Sequence, residues 1–139
     1  MGHEKAVRQL AARKDEIEDA GLLVWDLTQN LLYADRTVAK LFGLDAQRTV
    51  KGLPIEEYVA RIHIDDRSAF VQALSTAIVA DEQQQQVYRV NPLAESYHYV
   101  VGFGRTFRDK SGSPILYSGI VVPACATDRD TAVRASLLS

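Results

Sequence analysis

The sequence predicts an α+β domain, and three observations carry that prediction. Two short strand-like stretches come early and three long ones come late. Between them lies a helical stretch with apolar residues at 70, 71, 74, 77 and 78. Turn-forming residues mark the junctions. The chain has 139 residues, of which 47% are hydrophobic and 24% charged. At that size one domain buries roughly two-thirds of its unfolded surface without help from disulfides or metals. The expected division is a cap or dimerisation helix over 1–20, the domain proper over 21–126, and the start of a linker helix over 127–139.

Taken in order, residues 3–20 read as an amphipathic helix. Val7, Leu10, Ile17 and Ala20 face one way, and Glu4, Arg8, Lys14, Asp15 and Glu18 cover the rest. Val7, Leu10 and Ile17 fit a short heptad seam, so they are the candidate dimer interface, with packing on the chain's own domain as the other reading. Gly21 ends this helix. Leu22–Leu27 reads as a buried strand, Thr28-Gln29-Asn30 as a turn, and Leu31–Ala34 as a second strand, giving a hairpin. Asp35 is a good N-cap for a short helix through Val38, Leu41 and Phe42, and Gly43 is its natural stop.

Asp45 to Lys51 is a polar stretch. Pro54 suits the first turn of another helix, with Glu56 and Glu57 complementing the dipole and Tyr58, Val59 and Ile62 on its apolar side. Asp65 is expected to cap the longest helix, about 66–80, whose apolar face is Phe70, Val71, Leu74, Ala77 and Ile78. Three strands then follow, at Gln83–Asn91, Tyr97–Phe107 and Pro114–Pro123. Asn91-Pro92 and Asp109–Gly112 are the turn signals between them. In 97–107 both alternating sets contain apolar residues, so both faces of the sheet are expected to be covered, the outer one by the helix at 3–20.

The formal net charge is −2 with mixed signs, which offers no basic face for nucleic acid or an anionic membrane. The one cysteine, Cys125, cannot form an internal disulfide, and Met1–Lys5 has no apolar signal-peptide core, so a cytoplasmic protein is expected. The apolar run Ile120–Ala126 is far too short to span a bilayer.

The order of elements, and the motifs on them, resemble the PAS family in the branch that ends in a PAC segment. Trp25-Asp26-Leu27 looks like its first strand and Leu41-Phe42-Gly43-Leu44 like its short glycine-ended helix. Ile62-His63-Ile64-Asp65-Asp66-Arg67 resembles the Ile-His-Pro-Asp-Asp-Arg signature, and Val87-Tyr88-Arg89-Val90 the Glu-Tyr-Arg-Val strand. Gly104-Arg105, Arg108-Asp109, Gly112, Pro114 and Gly119 match the last hairpin. The resemblance covers about residues 20–122. It implies a five-stranded antiparallel sheet with short helices and one longer helix on one face, preceded by the cap helix. Three departures stand out. Ile64 replaces a proline, Asn91–Ser96 replaces a short Asp-Gly turn and so implies a longer loop, and Pro123-Ala124-Cys125 replaces the usual Asp-Ile-Thr. In the family that Asp-Ile-Thr couples the sheet to the output helix, so the standard coupling is not assured here.

Chemical constellations are few. His63, Asp65 and Asp66 fit metal binding or proton transfer on paper, but their place at a helix start is explained by capping. Haem-binding relatives use a histidine on the long helix, and 66–80 has none; His98 lies on a strand. Light-sensing relatives need a reactive cysteine near a flavin, and Cys125 sits at the end of the last strand. Neither haem nor flavin is therefore expected, nor is a metal. Gly102-Phe103-Gly104 is not a phosphate loop; strand glycines more often allow a close approach. The family's pocket lies between sheet and long helix, which makes Trp25, Tyr58, Phe70, Leu74, Tyr88 and Tyr99 the candidate ligand-binding residues, with plain core packing as the alternative for each.

The resemblance implies a non-catalytic sensory module. It would bind a small molecule or a protein partner, form a homodimer, and relay its state to an output domain such as a histidine kinase or a cyclic-dinucleotide enzyme. The alternatives are a ligand-free dimerisation or interaction module and, less favoured, a small cone-shaped isomerase or cyclase using His63, Asp65 or Asp66. A catalytic reading requires those carboxylates to face a cavity.

Overall fold

The computed structural model of the chain describes residues 20–93 and 96–124, with side chains at 91–93 excepted. The helix expected over 3–20 with Val7, Leu10 and Ile17, the thiol of Cys125, and the helix start from Thr127 lie outside the described residues.

Strands β1 (Gly21–Asp26) and β2 (Leu31–Ala34) form the expected hairpin. Four helices follow: α1 (Arg36–Phe42), α2 (Ala46–Lys51), α3 (Ile55–Val59) and the long α4 (Ile64–Ala80). Strands β3 (Gln84–Leu93), β4 (Ser96–Arg108) and β5 (Pro114–Pro123) complete one five-stranded antiparallel sheet in the order β2-β1-β5-β4-β3.

Local chemistry explains most boundaries. The Asp35 carboxylate accepts from the Val38 N–H, and Gly43 ends α1 in the left-handed region at φ 70°, where a side chain is disfavoured. The stretch from Asp45, expected only as polar chain, is helix α2 with Asp45 as its cap. One buried position, Thr49, is too little to write an apolar period into so short a helix. The expected cap of the long helix moves as well. His63 is the N-cap, its Nδ1 accepting from the Asp65 N–H at 3.1 Å, so Asp65 and Asp66 lie inside the first turn. The Asn91-Pro92 turn is corrected too: β3 runs on to Leu93, which pairs with Ser96, and the ladder irregularity falls between Val90 and Leu93.

The register sorts the sheet into two faces. Leu23, Trp25, Leu32, Tyr117, Val121, Val100, Gly102, Gly104, Gln86, Tyr88 and Val90 share the inner face, under the helices. There Leu32, Tyr88, Val90, Val100 and Val121 join Val38, Phe42, Tyr58 and Ile62 in the core, with Leu23 and Trp25 packed against it. Leu22, Val24, Tyr33, Phe103 and Phe107 share the outer face, and all five are exposed. Both sheet edges are partly covered by backbone pairing, Leu53 on β2 and Ile62 on β3, which blunts their capacity to recruit other strands.

Candidate functional site

Between the inner face and the helices lies a cavity of about 50 Å³. Leu23 and Trp25 come from β1, Ile55 and Tyr58 from α3, and Phe70 and Leu74 from α4. Gln86 and Tyr88 come from β3, Gly102 from β4, and Tyr117 and Val121 from β5. Every one of these side chains is uncharged.

Aromatic packing sets much of the wall. Phe42 packs edge-on to Tyr58 at 5.6 Å between ring centroids, and Phe70 to Tyr88 at 4.9 Å, separations at which aromatic pairs attract. The Tyr58 hydroxyl donates to the Leu32 carbonyl at 3.2 Å, and burial pushes its pKa up to about 12. Trp25 is held from behind. Its Nε1 donates to Asn30 Oδ1 at 3.0 Å, and the same oxygen accepts from the Ile55 N–H at 3.3 Å. Asn30 thus ties the β1–β2 turn to the start of α3, a role that sequence reading missed. Its residue type and turn position were the available signal.

Helix α4 forms one wall and is attached to the sheet at both ends. At its start Asp66 accepts from the Arg89 backbone N–H and Nε at 2.9 Å each, and from the second Arg89 nitrogen at 2.8 Å. Burial pushes the Asp66 pKa up, but Arg89's hydrogen bonds and charge outweigh it and hold the carboxyl below its ordinary value. At its other end Arg108 of β4 donates to the carbonyls of Ile78, Val79 and Gly112, satisfying two of the orphan acceptors of the last turn. Between these anchors sit Phe70 and Leu74.

Outside the cavity, between α3 and α4, lies an open groove of about 420 Å³ with Glu56, Arg67 and Ser75 along it. Trp25, Ile55, Phe70 and Leu74 line both spaces, so these four side chains form the partition between them.

Five of the six expected ligand-binding residues come together here: Trp25, Tyr58, Phe70, Leu74 and Tyr88. Tyr99 does not. The register puts it opposite Arg89 on the outer face, where the guanidinium carbon lies 6.0 Å from its ring centroid. Gln86 and Tyr117 line the cavity and were not anticipated. His63, Asp65 and Asp66 do not line it: His63 caps α4, Asp66 binds Arg89, and the Asp65 side chain is solvent-exposed. Among the described residues no cluster of three His, Cys, Asp or Glu side chains is arranged to hold a metal, and no helix is long and apolar enough to cross a membrane.

This architecture is that of the PAS fold, and a family model of that description matches residues 31–121, more than half of the chain. The chain belongs to the PAS family. No match is found among curated protein sequences. Among solved structures the chain is similar to a sensory box histidine kinase/response regulator from Burkholderia thailandensis, at 22% identity and a TM-score of 0.69, covering 93% of this chain and 94% of that one. It is also similar to the N-terminal domain of a diguanylate cyclase with PAS/PAC sensor from Marinobacter aquaeolei. There the identity is 16% and the TM-score 0.67, with 75% of this chain and 94% of that one covered. A light-oxygen-voltage domain studied with a flavin analogue gives 13% identity and a TM-score of 0.66, over 95% and 93% of the two chains.

Proposed function

We propose that this chain is a non-catalytic sensory module that reads a small molecule in the cavity under α4 and relays its state to an output domain, such as a histidine kinase or a cyclic-dinucleotide enzyme. The observation that carries the reading is the cavity's position. It lies between a helix pinned at both ends and the inner face of β5, the last strand of the sheet. A ligand that fits it better in one arrangement of helix and sheet shifts the population towards that arrangement. The histidine kinase and diguanylate cyclase relatives are sensor-bearing proteins, which supports the choice of output. The acidic pair at the start of α4 supports the non-catalytic reading, since neither carboxylate faces the cavity.

The size of the cavity bears on cofactors. A pocket for a drug-sized or ring-system ligand is roughly 300 Å³ or more, against about 50 Å³ here. That difference supports reading the native ligand as much smaller than a flavin.

Filling the cavity from within tests this. In the Leu74→Phe variant the larger side chain should imitate occupancy and slow amide hydrogen exchange in β5 more than in β2, which serves as the internal control. Equal slowing in both strands, or none, would separate the cavity from the strand that leads out of the domain and contradict the sensory reading.

A second reading is supported by the outer face. Exposed Leu22, Val24, Phe103 and Phe107 give it an apolar character that suits coverage by the helix expected over 1–20 and by a second copy, with Val7, Leu10 and Ile17 as the dimer seam. On this reading the module is a homodimer in which 21–126 is the sensor and 127–139 begins the connection to the output.

A further inference from the structure

Three side-chain hydroxyls of the inner face stand along one row of β4. The Tyr88 hydroxyl stands over Gly102, where an added methyl group would come within 3.3 Å of it. The Tyr117 hydroxyl stands over Gly104 so closely that any side chain there would overlap it. Thr106, two residues further on the same face, carries a buried Oγ1 without a partner. Alternate residues of a strand are spaced by roughly 6.6 Å on one face, so the row is a regular feature of the ladder. Gln86, opposite Gly102, adds an amide at the cavity's edge.

Tyr88 is 5% exposed and Tyr117 8%. Both line the cavity, and most polar groups buried in folded proteins are satisfied by protein, water or ligand. The glycines make room for the phenols, and the cavity opens beside them. Burial raises the pKa of both phenols, so both remain O–H groups able to donate and accept. The cavity's side chains include no charged group, so a charged ligand would be buried without a counter-charge and is strongly disfavoured. The volume admits about three or four water-sized groups.

We propose that this end of the cavity binds one small uncharged molecule of the vicinal-diol class, its two oxygens bonded by the Tyr88 and Tyr117 hydroxyls and its carbon side against Phe70 and Leu74. The assignment rests on the cavity being the sensory site, and it adds the ligand's class and the residues that select it.

The test is an NMR titration of the whole chain with 1,2-propanediol, run beside xenon as an apolar probe of the same space. The diol should shift the Gly102, Gly104 and Tyr88 amides saturably. Tyr88→Phe and Tyr117→Phe should each weaken the diol about tenfold while leaving xenon binding in place. Xenon binding without a diol response would mean that water satisfies the row, which overturns the diol assignment and leaves the cavity reading intact. Diol binding that both variants leave unchanged would overturn the assignment equally. No response to either probe would overturn the cavity reading and the diol assignment together.

Discussion

Asp66 shows how one side chain is both motif and fastener. Its carboxylate takes three hydrogen bonds from Arg89 and so fixes the start of α4 to β3. Because its folded pKa lies below the ordinary value, it contributes stability that is present above about pH 4 and lost as pH falls through the lower folded value. Asp66→Asn should therefore cost about 2 kcal/mol near neutrality and flatten the acid limb of the stability curve, measured by urea unfolding between pH 7 and pH 3. A variant as stable as the parent, with the same acid limb, would show that the pair is not stabilising. At this scale the cavity was half legible. Trp25, Tyr58, Phe70, Leu74 and Tyr88 could be picked out because large apolar residues on elements facing a common core have few other places to go. Tyr99 was misplaced and Tyr117 overlooked for one reason: β4 and β5 carry apolar residues on both parities, so alternation does not say which face is inside. Gln86 was hidden in a glutamine run that read as a polar strand end.

Elements were more legible than residues. The strands and α1, α3 and α4 announce themselves by caps, stops and periodicity; Asp35 and Gly43 bracket α1 as their types demand. What the sequence did not disclose depends on distant partners. The start of α4 is set by His63 and by the Arg89 carbonyl, which accepts the His63 N–H at 2.9 Å, rather than by the acidic pair that follows. Likewise β3 runs past Asn91-Pro92 through a ladder irregularity and pairs again at Leu93 with Ser96, a tertiary override of a local turn signal. The long helix thus has its ends fixed by groups on the sheet, Arg89 at one end and Arg108 at the other. Its middle turns, where Phe70 and Leu74 sit, are the part that occupancy can press on. This is why cavity filling at Leu74 is expected to reach β5.

For the whole molecule the question is how a small sensor reaches its surroundings. Leu22, Val24, Phe103 and Phe107 of the outer face are exposed, and they are the residues that the proposed dimer would cover. Leu10→Glu with Ile17→Glu should halve the mass seen by analytical ultracentrifugation while leaving the far-ultraviolet circular dichroism unchanged. A dimer that survives both substitutions would remove the seam from the account. Pro123-Ala124-Cys125 in place of Asp-Ile-Thr means that the route from β5 to an output helix cannot be carried over from relatives.

The central claim is that α4 closes a fillable space against the sheet, and a crystal structure of the chain under xenon pressure tests it most directly. The account predicts one xenon atom bounded by Phe70, Leu74, Tyr88 and Tyr117. A pressurised crystal with no xenon there, and those side chains packed together, would make this face an ordinary filled core and leave an assembly module in place of a sensor.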